Sequence, residues 1–354
     1  MERIDLNELN SRIPGIDSAA VQASLDRWSV VAKPLKSLGV LEDLVTQIAG
    51  VKGKARFSIK RRMLAVMCAD HGVIAQGVTQ TDESITALVA ADLAKDCSSA
   101  NLMAHVAGCD VCAVDVGIKT PPDQPGIVNK RVAPGTADFT QGAAMTREQA
   151  LQAVWAGIDT AESCASEGYD LLLSGEMGIG NTTAGTAVTC ALLGLPPEKI
   201  TGRGAGLSTE GLARKVDAIK RGFKLNRPNP ADALDVLSKL GGFEIAAMAG
   251  FFIGGALFRL PVVIDGVTCA VAALAAAKLC PACRDAMLPS HMSSEPAAER
   301  IFDALDMKPV INAGLHLGEG TGALCLLPLL DMAMSLYDGL VFSDIGMDAY
   351  TPQE

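Results

Sequence analysis

The sequence predicts an α/β chain built on a parallel β-sheet with crossover helices, and three observations carry that prediction. Short apolar runs at 63–69, 111–116 and 169–174 have the length and composition of strands buried on both faces. Between them, 84–107 and 146–168 show helical periodicity, so strand and helix alternate as in parallel sheets. Hydrophobic residues make up 49% and aromatics only 4%, which suits helices packed tightly on a sheet. A chain of 354 residues accommodates one large α/β unit or two smaller ones.

Taken in order, residues 1–30 carry an amphipathic helix with Ile16, Ala20, Ala23 and Leu25 on one stripe, a docking element stopped by Lys33-Pro34. Residues 35–42 lead into a second helix through about residue 49. Asp70-His71-Gly72 follows the strand 63–69 at its C-terminal end, which faces the ligand in open α/β sheets. Asp70 and His71 are therefore candidates for a site wall, against a reading in which Asp70 caps the turn and His71 bonds backbone. The segment 84–107 reads as one long helix with Ile85, Leu88, Val89 and Leu93 on one face, closed by Gly108. After the strand 111–116, Pro121, Pro122, Pro125 and Gly126 make an irregular surface excursion. Thr146-Arg147-Glu148-Gln149 is a capping box that opens the helix 146–168. The apolar segment 243–279 reads as a buried helix-strand-helix. Glu244, Arg259, Asp265 and Lys278 interrupt it, so no apolar span reaches about 20 residues.

A net charge of -10 and a pI near 5.0 exclude a nucleic-acid footprint and point to a small-molecule partner. Met1-Glu2-Arg3-Ile4-Asp5 is polar rather than a signal-peptide start, so a cytoplasmic location and no membrane partner are expected. Ten cysteines in that compartment read as free buried thiols. Cys109/Cys112 and Cys280/Cys283 have zinc-compatible spacing, but strand geometry would splay the first pair and histidines are scarce, so no metal is expected.

Two glycine-rich turns and one acid carry the chemistry. Gly175-Glu176-Met177-Gly178-Ile179-Gly180-Asn181-Thr182-Thr183 lies between the strand 169–174 and a helical run at 184–193. That context converges backbone N–H groups at a helix N-terminus, an anion site. The pattern is close to a P-loop without its lysine, and Asp265 after Val262-Val263-Ile264 imitates a Mg²⁺-binding strand end, which keeps a degenerate nucleotide hydrolase open. Gly202-Arg203-Gly204-Ala205-Gly206 is the second turn, with Ser208 as N-cap of a helix whose Lys215 reads either as a phosphate contact or as a solvated charge. Finally, Leu315-His316-Leu317-Gly318-Glu319-Gly320-Thr321-Gly322 sets one carboxylate among glycines, presented to a ligand unless Glu319 or Thr321 merely caps the helix that follows.

Together these residues resemble the nicotinate-nucleotide:dimethylbenzimidazole phosphoribosyltransferases of cobamide lower-ligand activation. The resemblance spans about 33–346. Ser37-Leu38-Gly39-Val40-Leu41-Glu42, Asp70-His71-Gly72-Val73, the 175–183 loop, Gly202-Arg203-Gly204, Gly242-Phe243-Glu244-Ile245, Asp265-Gly266, His291 with Ser293 and Glu295, and 317–322 carry it in one order. It implies a doubly wound, Rossmann-like parallel sheet forming a large domain over 59–322, with a small helical domain from 1–58 and 323–354. It also implies transfer of ribose 5-phosphate from nicotinate mononucleotide to an aromatic lower-ligand base, with inversion, release of nicotinate and no cofactor. By the same matching Glu319 is the general base and Glu176 a secondary acid. Gly178, Gly180, Asn181, Thr182, Thr183, Gly202, Gly204 and Lys215 hold the phosphate, Gln80, Leu88 and Leu317 form the acceptor pocket, and Asp265 and Ser293 join Asp70 and His71 on the wall. The implied assembly is a dimer whose second chain, identical or homologous, helps complete the site.

Five positions depart from the family pattern. Thr81-Asp82 replaces Tyr-Pro, Leu88 replaces a glutamine that contacts the acceptor ring, Lys36 replaces a glycine, and Val267 follows Asp265-Gly266. A leucine cannot hydrogen-bond the second nitrogen of a benzimidazole, an unmet polar atom costing about 1–3 kcal/mol, whereas a phenol has no such atom. The sequence thus predicts a phosphoribosyltransferase with an acceptor range that includes phenols. A subunit needing a homologous partner for activity is the alternative.

Overall fold

The computed structural model describes residues 3–351. Residues 1, 2 and 352–354, the outermost ends of the predicted small helical unit, lie outside the described residues. Its centre is a six-stranded parallel sheet: β1 Arg62–Ala69, β2 Asp110–Gly117, β3 Val128–Asn129, β4 Leu171–Met177, β5 Val262–Ile264 and β6 Met287–Pro289. The spatial order is β3-β2-β1-β4-β5-β6, and every neighbouring pair is parallel. The order reverses between β1 and β4, and in such sheets the crevice beyond the carboxyl ends of the strands takes the ligand.

The sheet is doubly wound because both faces are apolar. On β1, Ala65, Met67 and Ala69 pack into the core on one side, while Leu64, Val66 and Cys68 pack into the core on the other. Helices Arg147–Ser166, Phe243–Leu257 and Val267–Leu279 cover the first face. Helices Val40–Lys52, Ser84–Ala94, Ser99–Ala107 and Thr321–Tyr337 contribute to the second. The predicted buried helix-strand-helix at 243–279 is present as Phe243–Leu257, β5 and Val267–Leu279. The capping box at Thr146 is also present, with the Gln149 amide donating to the Thr146 hydroxyl and the Gln149 side chain accepting from the Thr146 amide.

Three predictions of local structure are corrected. The segment 84–107 is two helices, because Ser98 and Asn101 form a capping box that starts Ser99–Ala107 after a turn through Asp96. Residues 1–30 likewise hold two helices, Leu6–Arg12 and Ser18–Val30. The buried stripe on the second is Ala20, Ser24 and Trp28, while Leu25 is exposed, since the chain docks through Trp28 against Tyr337. The strand before the glycine loop runs on through Glu176 and Met177, so Glu176 belongs to β4 and not to the turn. The excursion after β2 carries the short edge strand β3.

The two ends of the described chain meet. Arg27 donates from Nε to the Tyr337 carbonyl and the Ala32 N–H donates to the Leu340 carbonyl. Lys36, where the family pattern has glycine, has φ of 53°, a left-handed conformation that costs a side chain roughly 1 kcal/mol and glycine almost nothing. Among the described residues no helix is long and apolar enough to cross a membrane.

The cysteine pairs are separate features. Cys109 and Cys112 face opposite sides of the sheet, and burial pushes their thiols up to about 12 and about 11. Cys280 and Cys283 are fully buried, with the Cys280 thiol 3.4 Å from the Leu6 carbonyl. Among the described residues no group of three or more His, Cys, Asp or Glu side chains is arranged to hold a metal ion.

The tightest joint in the core is the crossing of Arg147–Ser166 with Phe243–Leu257. A Cβ added at Gly157 would collide with the Ala247 carbonyl, and one added at Gly250 with the Val154 carbonyl. Because backbone cannot yield as a side-chain tip can, Gly250→Ala is expected to destabilise the protein by about 1–3 kcal/mol. A lower urea midpoint with unchanged slope would register it.

Candidate active site

Beyond the carboxyl ends of β4, β5 and β6 lies a cavity of about 310 Å³. Glu176 comes from β4, Asp265 and Thr268 follow β5, His291 and Ser293 follow β6, and Leu317 to Glu319 close the rim. Helix Ser84–Ala94 adds Ile85 and Val89. A smaller recess of about 90 Å³ shares Gly178, Asn181, Thr182 and Gly204 with the cavity and adds Gly180 and Gln80.

The glycine loop lies under the shared wall. Gly180 caps helix Asn181–Leu193 with φ of 102°, a conformation that favours glycine. A Cβ on Gly178 would collide with the Ala69 carbonyl, so only glycine lets the loop rest on the end of β1. Thr183 is buried behind the loop and does not line the cavity. Lys215 is also behind the wall, fully buried on helix Thr209–Asn226. Its Nζ donates to Thr182 Oγ1 at 2.8 Å and to the Gly202 carbonyl at 3.2 Å. Burial pulls its ammonium down to about 8, opposed by Glu295. It is not a solvated helix charge. Glu295 in turn accepts the Gly204 amide at 3.1 Å and fills the space where a Cβ of Gly202 would sit.

Glu319 is held in an unusual backbone. Gly318, Glu319 and Gly320 have φ of 94°, 58° and 83°, so a non-glycine residue occupies the left-handed region between two glycines. Neither Glu319 nor Thr321 caps helix Thr321–Tyr337, since the Thr321 hydroxyl donates to the Gly318 carbonyl at 2.7 Å. Asp265 does the capping from β5, accepting the Gly320 amide at 3.1 Å and the Ala323 amide at 2.9 Å. With both oxygens so engaged, Asp265 is poorly placed as the Mg²⁺ ligand of a nucleotide hydrolase.

The two acids on the wall differ in support. Glu319 Oε2 is buried with no hydrogen-bond partner. Burial pushes its carboxyl above the usual range, the Ala100 amide opposes this, and Asp265 and Asp92 add to it. Glu176 accepts the side-chain amide of Asn181. Burial first, then Asp265, Glu244 and Glu319, drive it well above the usual carboxylate range. The cavity therefore presents a proton acceptor of raised basicity beside an acid that holds its proton more tightly.

Several predicted residues lie elsewhere. Asp70 and His71 are buried on a neighbouring cavity of about 420 Å³. Asp70 Oδ2 accepts the Lys119 amide at 2.8 Å, and His71 Nε2 is 2.7 Å from Glu244 Oε1. Neither lines the 310 Å³ cavity. Leu88 is 54% exposed and also absent from that wall, because the helix turns Ile85 and Val89 inward instead. Gln80 is exposed on the smaller recess, donating to the Ala205 carbonyl at 3.0 Å. Leu317 is on the rim and 59% exposed. Val267 lines the cavity as the first residue of its helix. The sequence assigned no site role to Ile85, Val89, His291 or Glu295. The i, i+4 spacing of the first two was the available signal.

Comparison with known proteins gives this geometry its context. A family model described as phosphoribosyltransferase matches residues 13–345. The nicotinate-nucleotide–dimethylbenzimidazole phosphoribosyltransferase of Ruminiclostridium cellulolyticum is 40% identical over 348 residues, covering 98% of this chain and 99% of that one. The enzyme of the same name from Acetivibrio thermocellus is 41% identical over 334 residues, covering 94% of each. The crystal structure of CobT from Thermus thermophilus superposes with a TM-score of 0.88 at 38% identity, covering 93% of this chain and 99% of that one. The chain is thus a pentosyltransferase by descent, and it belongs to the nicotinate-nucleotide–dimethylbenzimidazole phosphoribosyltransferase family.

Proposed function

We propose that this enzyme moves ribose 5-phosphate from nicotinate mononucleotide to an aromatic lower-ligand base, a benzimidazole or a phenol, for cobamide nucleotide-loop assembly. The observation that carries the reading is the Glu319 carboxylate, unpartnered at Oε2 and raised in basicity on the wall of a cavity that a glycine loop and a helix N-terminus also line.

The chemistry follows from the groups available. The bond from C1′ to the pyridinium nitrogen breaks, and its electron pair neutralises the ring, so nicotinate leaves without acid help. The imine nitrogen of a benzimidazole, or the oxygen of a phenol, attacks C1′ from the opposite face, inverting it to the α-riboside 5′-phosphate, and the proton of the other ring nitrogen, or of the phenol, passes to Glu319. Glu176, whose hold on its proton is strengthened by burial and by its acidic neighbours, is the secondary acid at the ribose or base in this reading. The phosphate sits against Gly178, Gly180, Asn181, Thr182 and Gly204 at the start of helix Asn181–Leu193. Thr183 and Gly202 support that cradle from behind, and Ser293 completes the wall. An ammonium has three donors and Lys215 makes two bonds, which leaves one for a phosphate oxygen.

On the acceptor side, helix Ser84–Ala94 offers Ile85 and Val89, neither of which can bond a second ring nitrogen. This supports the inclusion of phenols on a different basis from Leu88. Leu88 at 54% and Leu317 at 59% are exposed apolar side chains; a second chain, identical or homologous, covers them in this reading. The two chain ends, 1–58 and 323–354, act as the helical unit beside the 59–322 domain. Ten cysteines, all free thiols, fit a cytoplasmic enzyme.

Four measurements test the reading. Glu319→Gln keeps the shape and removes the base, so kcat should fall by about 10²–10⁴ while nicotinate mononucleotide still binds; a rate near wild type would remove Glu319 from that role. Lys215→Met should raise KM for nicotinate mononucleotide by roughly tenfold or more. Wild-type affinity should decline as pH passes about 8, where free Lys215 loses its proton. A panel of benzimidazoles and phenols supplied to the isolated chain should give α-ribosides of both classes. Strict use of dimethylbenzimidazole ends the phenol clause, and activity only with a co-expressed homologue replaces the homodimer by a heterodimer.

A further inference from the structure

We propose that Asp265 is the positioning residue of the catalytic base, holding the left-handed turn that aims Glu319 into the cavity. The inference rests on Glu319 acting as base and adds to that reading what fixes its aim.

Asp265 is 1% exposed and sits one residue beyond β5. Its two oxygens divide between the two sides of the turn, Oδ2 to the Gly320 amide next to Glu319 and Oδ1 to the Ala323 amide in the first turn of the helix. Glu319 therefore cannot relax to an ordinary helical or extended backbone without breaking a buried hydrogen bond to a carboxylate, one of the stronger kinds. Of the three left-handed residues only Glu319 bears a steric cost, since Gly318 and Gly320 adopt that region freely, and this bridge offsets it. The surroundings keep Asp265 in place. A Cβ on Gly322 would collide with the His291 ring and come within 2.9 Å of Asp265 Oδ1, so glycine there makes room for both. Ser290 next to His291 ties the neighbouring strand down, donating to the Ile264 carbonyl at 2.6 Å.

Asp265 also acts on Glu319 by charge. The groups facing Glu319 are Asp92 on helix Ser84–Ala94, the Ala100 amide, Glu176 on β4, Asp265 after β5, His291, Ser293 and Glu295 after β6, and His316 on its own segment. Of the acids, Asp265 is the one bonded to the turn itself. Its negative charge raises the Glu319 carboxyl, so removing that charge lowers it. The base is then ionised to lower pH, and the acid limb of the pH profile shifts downward.

Asp265→Asn is the deciding variant, since one amide oxygen replaces two carboxylate oxygens. Expected are a kcat lowered by about 10- to 100-fold, a KM for nicotinate mononucleotide within about threefold of wild type, and an acid limb of kcat/KM moved to lower pH. A merely structural role would lower the thermal midpoint without moving that limb. Should Asp265→Asn fail to fold, Asp265→Ser, smaller and still able to accept one amide, is measured in its place. A kcat and an acid limb both unchanged from wild type, in a protein whose Glu319→Gln variant is inactive, would overturn the proposal while leaving the base assignment standing. An active Glu319→Gln would instead remove the base assignment, and with it the role given to Asp265.

Discussion

A buried carboxylate must find donors, and the carboxyl edge of this sheet is organised by that requirement. Asp115 accepts the amides of Gly117 and Ile118, Asp70 that of Lys119, Asp265 those of Gly320 and Ala323, and Glu295 that of Gly204. Glu244 faces His71. Main-chain amides thus act as counter-charges, tying each loop to a strand end without adding cations to the pocket. Compensation is incomplete at four carboxylates: Asp70, Glu244 and Glu319 each keep one buried oxygen without a partner, and Glu176 accepts a single side-chain amide. Burial without full compensation is the expensive arrangement.

Sequence reading reached the architecture because its signals are local. Strand and helix alternated, Thr146 and Ser208 announced their helices, and glycines marked the turns that face the ligand. The glycines that single out Glu319 and the 178–182 loop are local signals too, and Gly178, Asn181, Thr182 and Glu319 line one cavity. Sequence reading failed where the deciding contact was distant or where two local signals competed. The apolar periodicity of 84–107 hid Ser98 as a cap, and Asp96 turns the chain there with φ of 60°. Which of Ile85, Leu88 and Val89 meets the cavity depends on how that helix rolls against the sheet, something no window of residues contains. Asp70 and His71 stood at the correct end of β1 but face a neighbouring hollow, because strand ends fan apart across a twisted sheet. Lys215 read locally either as a phosphate contact or as a solvated charge, and its full burial removes the second reading.

The Lys36 departure shows what such a fold can absorb. One left-handed lysine costs roughly 1 kcal/mol, which a core with both sheet faces covered can carry. At Gly157 or Gly250 the obstacle is backbone, and no comparable slack exists.

The bond from Asp265 to Gly320 joins positions 55 residues apart, whereas the glycine loop and its helix are continuous with β4. The two halves of the site therefore differ in how the chain must be assembled to make them. A refolding molecule can form the 178–182 turn within one strand-turn-helix unit, but the turn at Glu319 is fixed only once β5 and the later helix have docked. A chain that is slow to close this long loop would have its central strands and glycine turn in place while Glu319 was still unaimed.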